Sequence, residues 1–367
     1  MTGEDMTKNL TDNMKPQNKL TNGYFNGALK RIKELQRSDG AIAWFEDGVI
    51  DPWNHLEAAM GLNLCGENQA VDRAFEYLFT SQLPDGSWLG QLGSAVPIDE
   101  TLQNFTTKGM DTGTQIRDTN FTAYIATAVW HDYLLHGNLD FLRRAWPHVE
   151  AAIGFTLSHQ SPHGDIRWAA NDPATPEDDA LVTGCSSIYK SLEAAILIAR
   201  TLNRPVQQWQ AAQSLLGEAL RHKPERFDRQ WESKARFSMD WYYPVLSGAL
   251  TPEQAREKLW QRWDEFIVDG HGCRCVTDEP WITIAETAEL TLTLCAIGER
   301  DKAREVLSWL ERYRDADGAY WMGYQFEQEI FWPIEKPAWT AGAVILATDA
   351  VEGLSPASDF FIHHIYA

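Results

Sequence analysis

The chain has 367 residues, 44% of them hydrophobic, and a formal net charge of −20 at pH 7. That charge argues against nucleic acid or an anionic membrane as partner, because both are bound through Lys and Arg. It suits a neutral or cationic small molecule, and sixteen Trp residues, most of them in loop-like segments, point to a ligand that stacks on rings.

The five cysteines, Cys65, Cys185, Cys273, Cys275 and Cys295, have no disulfide-framework spacing. Cys273-Arg274-Cys275 is too tight for a zinc pair, and no matching His/Cys pair follows. Free thiols predict a reducing compartment, hence the cytoplasm. The first twenty residues are polar, unlike a secretory signal, and no run of about 18 apolar residues offers a membrane span. Neither a metal nor a cofactor is implied.

Residues 1–18 read as a disordered lead. Phe25, Leu29, Ile32 and Leu35 then recur at helical steps. A loop with a turn at Asp39-Gly40 leads to a second helix opened by Pro52, and a third runs over 68–82. Further helices are predicted over 120–136, 139–159, 185–202, 206–221, 251–267, 282–297, 300–313 and 338–350, while 238–248 is aromatic and less regular. Thr251-Pro252 with Gln254 forms a capping box at one of these starts.

Charged helices with one apolar stripe alternate with helices rich in small residues and poor in charge. The first kind covers a core and the second is buried nearly all round. The alternation predicts an all-α, single-domain (α/α)6 barrel, six hairpins in two concentric rings over 19–353, with 354–367 as a C-terminal tail. Long loops then lie at one mouth, and short turns such as CGENQ, HGNLD and IGERD lie at the other end. The loops QRSDGAIAW, QLPDGSW, QSPHGDIRW and YRDADGAYW repeat a glycine turn followed by Trp, which caps a helix and delivers a Trp to the same end each time.

The last long loop packs Tyr320, Trp321, Tyr324, Phe326, Phe331, Trp332 and Trp339 around Glu327, Glu329 and Glu335. Rings that stack on a pyranose and carboxylates that move protons are the chemistry of a sugar site. Glu327 is the expected general base and Glu329 its rival; Asp172, ahead of Glu177, is the expected general acid. The expected substrate-binding residues at the mouth are Trp44, Asp51, Trp53, Arg117, Asp118, Arg167, Trp168, Trp241, Trp281, Trp321 and Trp339. Glu286 and Glu289 lie on an apolar helix expected to be an inner one; if it is buried there, Glu286, at the mouth end, is a functional candidate, and otherwise it pairs with an Arg.

Several of these segments resemble the six-hairpin glycosidases, in particular the glucoamylase-type glycoside hydrolases, over about residues 20–352. The segment TNFTAYIATAVWHDYLLHGNLDFLRRAWPHVEAAIGFTLSHQSPHGDIRW is similar to their central hairpins. Glu327-Gln328 followed by Trp339-Thr340 is similar to the segment carrying their general base. Asp51, before Pro52 and Trp53, sits where the family holds sugar hydroxyls, although the preceding Arg is Ile50 here. The family's acid follows a Trp, whereas Trp168 is followed by Ala169-Ala170. The resemblance implies an inverting glycoside hydrolase acting on an oligosaccharide or related small molecule. The Gln…Asp-Gly…Trp repeats also resemble the QW motifs of terpenoid cyclase and prenyltransferase barrels, which would imply an isoprenoid ligand. A non-catalytic glycan-binding barrel is the third alternative.

Overall fold

A computed structural model describes residues 18–46, 48–91, 116–172, 175–176 and 178–363. Twelve long helices among these residues alternate between an outer and an inner ring. The outer ones are α1 (Asn26–Leu35), α3 (Asn68–Ser81), α6 (Leu139–Ser158), α8 (Gln207–His222), α10 (Pro252–Gln261) and α13 (Arg300–Trp309). The inner ones are α2 (Pro52–Leu64), α5 (Ile125–His136), α7 (Val182–Thr201), α9 (Ser238–Leu246), α12 (Ile284–Ala296) and α14 (Ala338–Glu352). Short helices α4 (Thr119–Ala123) and α11 (Trp263–Phe266) precede α5 and follow α10.

The inner helices pack in the closed order α2, α5, α7, α9, α12, α14 and back to α2. This is the six-hairpin barrel that the alternation of helix types predicts. The physical basis is visible in the burial: α1 buries only Ala28, Leu29, Ile32 and Leu35, while α14 buries every residue from Thr340 to Val351. Where α14 closes on α2, a Cβ on Gly61 would lie 2.8 Å from the Gly342 Cα, so the two backbones touch. The segment 238–248, irregular in sequence, is inner helix α9, with Pro244 inside it.

Among the described residues, eight short strands form three small antiparallel sheets in the long loops, which helical periodicity does not foretell. β1 (Arg117–Asp118), β2 (Ala169–Asp172) and β3 (Thr175–Pro176) make one; β4 (Ile267–Val268) and β5 (Gly272–Cys273) another. β6 (Trp281–Thr283), β7 (Gly323–Gln325) and β8 (Ile330–Phe331) make the third. They tie one long loop to the next around the mouth.

The glycine turns have one construction. Gln36 donates to the Gly40 carbonyl at 3.0 Å and to Ala70 on α3 at 2.8 Å. Gln82 bridges Gly86 to His148 on α6, and Gln160 bridges Gly164 to Ala212 on α8. In the fourth copy Arg314 takes the Gln's place, donating to Gly318 at 3.4 Å and to Tyr24. The repeat is a clamp between successive outer helices, and this packing accounts for its likeness to QW motifs. Beyond α14, Phe360, Phe361 and Ile362 are buried. Phe360 lies under Lys190 of α7 and Phe361 beside His131 of α5.

Candidate active site

Every inner helix begins at the mouth, so its unpaired N–H groups and the positive end of its dipole face the opening. Asp51 caps α2 and accepts from the Asn54 backbone N–H at 2.9 Å, the Asn54 amide at 2.6 Å and the Trp44 indole at 2.5 Å. Asp118 caps α4, accepting from the Phe121 N–H at 2.9 Å. Capping bonds favour the carboxylate form, but burial opposes them and wins. It raises the Asp51 carboxyl above its usual range and, with the charge of Asp51 nearby, pushes Asp118 up to about 7.

Three more acids lie along the axis. Glu289, on the second turn of α12, has both oxygens bonded by hydroxyls of α9, Tyr242 to one and Tyr243 to the other. Burial still raises it to about 7, against these two bonds. Glu57 of α2 is buried and accepts no hydrogen bond among the described residues. Burial first, then the charges of Glu289, Asp51 and Glu286, hold it protonated well above the carboxylate range. Glu286 is one turn nearer the mouth than Glu289, half-buried, beside the Cys275 thiol. Burial and the Glu286 charge push that thiol well up. In the closed ring, α5 with its leading α4 stands opposite α12. Asp118 and Glu286 therefore start from opposite walls.

Aromatic rings line the space between these walls. Trp53 lies 5.8 Å from Phe121, 5.6 Å from Tyr124 and 5.6 Å from Tyr243, centroid to centroid. α2 and α9 are not neighbours in the ring, so the Trp53–Tyr243 contact spans the axis. Trp44 packs edge-on against Trp339 at 5.5 Å, on the rim above Asp51.

The other predicted site residues are distributed differently. Trp241 is 1% exposed; its indole donates to the Lys258 carbonyl and its ring stacks on Phe266, so it belongs to the wall between α9 and outer α10. Trp281 is buried in β6 and donates to the Trp332 carbonyl. Trp321 stacks on Phe331 with the Lys336 ammonium 4.5 Å from its ring, which occupies the ring as a stacking surface. Trp168 packs edge-on against Trp231, with its indole N–H buried and without a hydrogen-bond partner among the described residues. Arg167 faces Asp178 at 3.5 Å and Arg117 faces Asp85 at 3.1 Å.

The expected cage around Glu327 is not what forms. Glu327 and Glu329 are exposed in the turn between β7 and β8, with Glu329 at φ 55. Pairing of Tyr324 with Phe331 turns the aromatics inward to one another and the glutamates out to solvent. Asp172 is placed by its backbone at the end of β2, with its side chain outside the described residues, as is Glu177. β2 pairs with β1, Asp118 opposite Ala169. Glu57, Tyr124 and Tyr243 escaped sequence reading. The available signal was one Glu within the otherwise uncharged apolar run PWNHLEAAMGLNL.

No family model matches the chain. It is 41% identical over 330 residues to the MMP endo-(1,4)-3-O-methyl-alpha-D-mannosidase of Mycolicibacterium hassiacum, which covers 90% of this chain and 86% of that relative. In structure it is similar to a GH63 mannosylglycerate hydrolase from Thermus thermophilus, solved with Tris and D-glycerate: TM-score 0.65, 12% identity, 88% of this chain and 99% of that one. A glycosidase in complex with glucose aligns with TM-score 0.65 at 13% identity over 97% and 100% of the two chains. At such identities the solved structures speak for the fold alone. The protein is a glycoside hydrolase on a six-hairpin barrel. Its length-wide identity to the mycobacterial enzyme makes it a member of that endo-mannosidase family.

Proposed function

We propose that the chain cleaves internal α-(1,4) linkages of a glycan built from 3-O-methyl-D-mannose, the substrate type that its mycobacterial relative's name records. The glycan binds at the loop-rich mouth, over Trp53 and under the rim made by Trp44 and Trp339. Apolar walls of Trp53, Phe121 and Tyr124 suit a sugar that carries a methyl ether where others carry a hydroxyl.

The observation that carries the mechanism is the opposed pair of carboxyls with different surroundings. Glycoside hydrolysis needs a protonated acid toward the leaving oxygen and an ionised base on the other face of the ring. Asp118, pushed up to about 7, is the general acid, because a donor works best with its pKa near the working pH. Glu286, half-buried in the first turn of α12 at the mouth, is the general base. Placement on opposite walls leaves room for a water and supports inversion. Asp51, held by Trp44 and Asn54, binds a hydroxyl, and its charge adds a smaller part to the burial that raises Asp118. Glu57 and Glu289 are the floor. A second acid, Asp172, is supported by its strand's pairing with the strand of Asp118. Five free cysteines support a reducing compartment and hence the cytoplasm; among the described residues no helix is long and apolar enough to cross a membrane.

The test is steady-state kinetics on a 3-O-methylmannose oligosaccharide with Glu286→Gln and Asp118→Asn. Each is expected to lose about 10²–10⁴ in kcat, the usual worth of one acid or base, with KM little changed. Proton NMR of the first product gives the anomer. Full activity in Glu286→Gln rejects the base, and loss in Asp172→Asn but not Asp118→Asn moves the acid to Asp172.

A further inference from the structure

We propose that a groove on the outer wall, between α6 and α8, is a second glycan-binding site that holds a distal part of the same polysaccharide chain. The inference rests on the reading of the substrate as a polymer. An enzyme that cuts inside a chain leaves sugar units on both sides of the mouth, and those units must lie somewhere on its surface.

The groove encloses about 510 Å³ and is lined by Trp146, Glu150, Gly154 and Ser158 from α6 and by Gln208 and Trp209 from α8. The four α6 residues recur every fourth position, so they form a single stripe along that helix. Twelve residues at 1.5 Å rise make the stripe roughly 18 Å long. α6 runs from the short-turn end to the mouth, ending at Ser158 just before the loop that carries Trp168. The groove therefore lies along the wall and opens at the rim.

Its chemistry is that of a sugar site. Trp146 and Trp209 are paired at 5.5 Å with 37° between their planes. Trp146 is only 6% exposed and the Arg204 guanidinium lies 5.8 Å from its ring, so it backs the groove, and the half-buried Trp209 is the ring left to meet a sugar; neither indole N–H has a hydrogen-bond partner among the described residues. The side chains of Glu150 and Gln208 are exposed and equally unpartnered there, ready to bind hydroxyls beside the rings.

Gly154 is the second, independent observation. Glycine inside a helix is unfavourable for backbone entropy, and here no packing demands it. A Cβ at this position would meet nothing within 4 Å. Most other helical glycines of this barrel are held by a neighbour, as Gly61 and Gly342 are by each other's helix. At Gly154 the missing side chain does one thing: it keeps the middle of the stripe open.

The experiment uses Gly154→Gln, which fills the groove without removing a buried contact, and Trp209→Ala. Binding is read by retardation in native gels containing the methylmannose polysaccharide, in a Trp53→Ala background that weakens the mouth. Turnover is read in otherwise unaltered protein on a long chain and on an oligosaccharide too short to leave the mouth. The expected result is that residual retardation disappears with either change. For the long chain kcat/KM falls about tenfold, equivalent to about 1.4 kcal/mol, while the short substrate is cut at the original rate. Unchanged retardation and long-chain turnover in both variants overturn the proposal. So does a parallel loss on both substrates, which marks a structural effect. A shift of the protein's sedimentation from dimer to monomer with unchanged long-chain turnover assigns the groove to a second copy and overturns it too. Failure of the original protein to cut any methylmannose chain sinks the substrate reading by itself, and the gel still judges the groove.

Discussion

The glycine turns and the axial acids lie at the same end of the barrel and differ in one respect. The turns repeat. Gln36, Gln82 and Gln160 perform one task on three successive pairs of outer helices, and Gly40, Gly86 and Gly164 all bring a turn against the next helix's backbone. The acids follow no such repeat: Asp51 and Glu57 belong to α2, Asp118 to the start of α4, and Glu286 and Glu289 to α12, each in its own surroundings. A feature that recurs from one hairpin to the next belongs to the architecture. A feature present once, and expensive to bury, belongs to the chemistry.

The comparison is broken most severely by the axial acids. Removing Glu286 or Asp118 is expected to cost about 10²–10⁴ in rate with the fold intact. At the turns the effect falls on stability instead. Gly164 has φ 105, and a Cβ there would lie 2.1 Å from the Leu215 carbonyl. Gly164→Ala should therefore cost about 3 kcal/mol through strain and displaced packing, read as a lowered urea midpoint, while kcat per folded molecule stays the same. A Gly164→Ala protein of normal stability would show that the turn yields easily and that the repeat is not a clamp.

Trp53→Ala comes next. It removes the ring that meets Phe121, Tyr124 and Tyr243, and oligosaccharide binding should weaken by about 1–3 kcal/mol. Calorimetric titration checks it. Unaltered affinity would move the sugar away from the axis.

The acids also predict how stability follows pH. Folded Asp118 and Glu289 titrate near 7 and Asp349 near 6, all raised chiefly by burial above ordinary carboxyls. A raised folded pKa means the folded protein binds the proton more tightly than the unfolded chain does. The resulting stability is fully present below the unfolded pKa, near 4, and is lost as pH rises through 6 to 7. Melting temperature should fall across that window, and Glu289→Gln should flatten the fall. Activity limited by protonated Asp118 should decline on the same alkaline side.

The two regions also differ in how far sequence alone reveals them. Helix type, short turns and the Gln…Gly…Trp loops are local patterns with a period, and they lead directly to the barrel. The site needs contacts between residues far apart in the chain. Tyr242 and Tyr243 reach Glu289 across 47 and 46 positions, and nothing local to any of them shows the pairing. Trp241, just before them in the chain, looks the same in sequence, yet it faces Lys258 and Phe266 in the outer wall. Composition therefore locates an aromatic, acidic mouth without telling which ring faces in.

The smallest expected effect tests that point most sharply. Glu327 has the local setting of a general base, an acid within a run of aromatic residues and shortly before the Trp-Thr helix start. In the fold it is exposed at a hairpin turn, outside the ring contacts of Trp321, Tyr324 and Phe331. A base acts only where its oxygen can reach the water that attacks the sugar, within about 2.6–3.2 Å, and burial is what tunes its pKa for the task. Glu327→Gln should then change kcat by less than about twofold, far from the loss that removing a base entails. Its stability cost should stay within about 0.5 kcal/mol, as for most surface substitutions. Glu329 shares the turn and should behave alike, and the double variant should add nothing. A hundredfold loss in Glu327→Gln would mean that the β7–β8 hairpin folds over the mouth when a chain is bound. The base would then come from a loop at the rim, and Glu286 would be left to hold a hydroxyl.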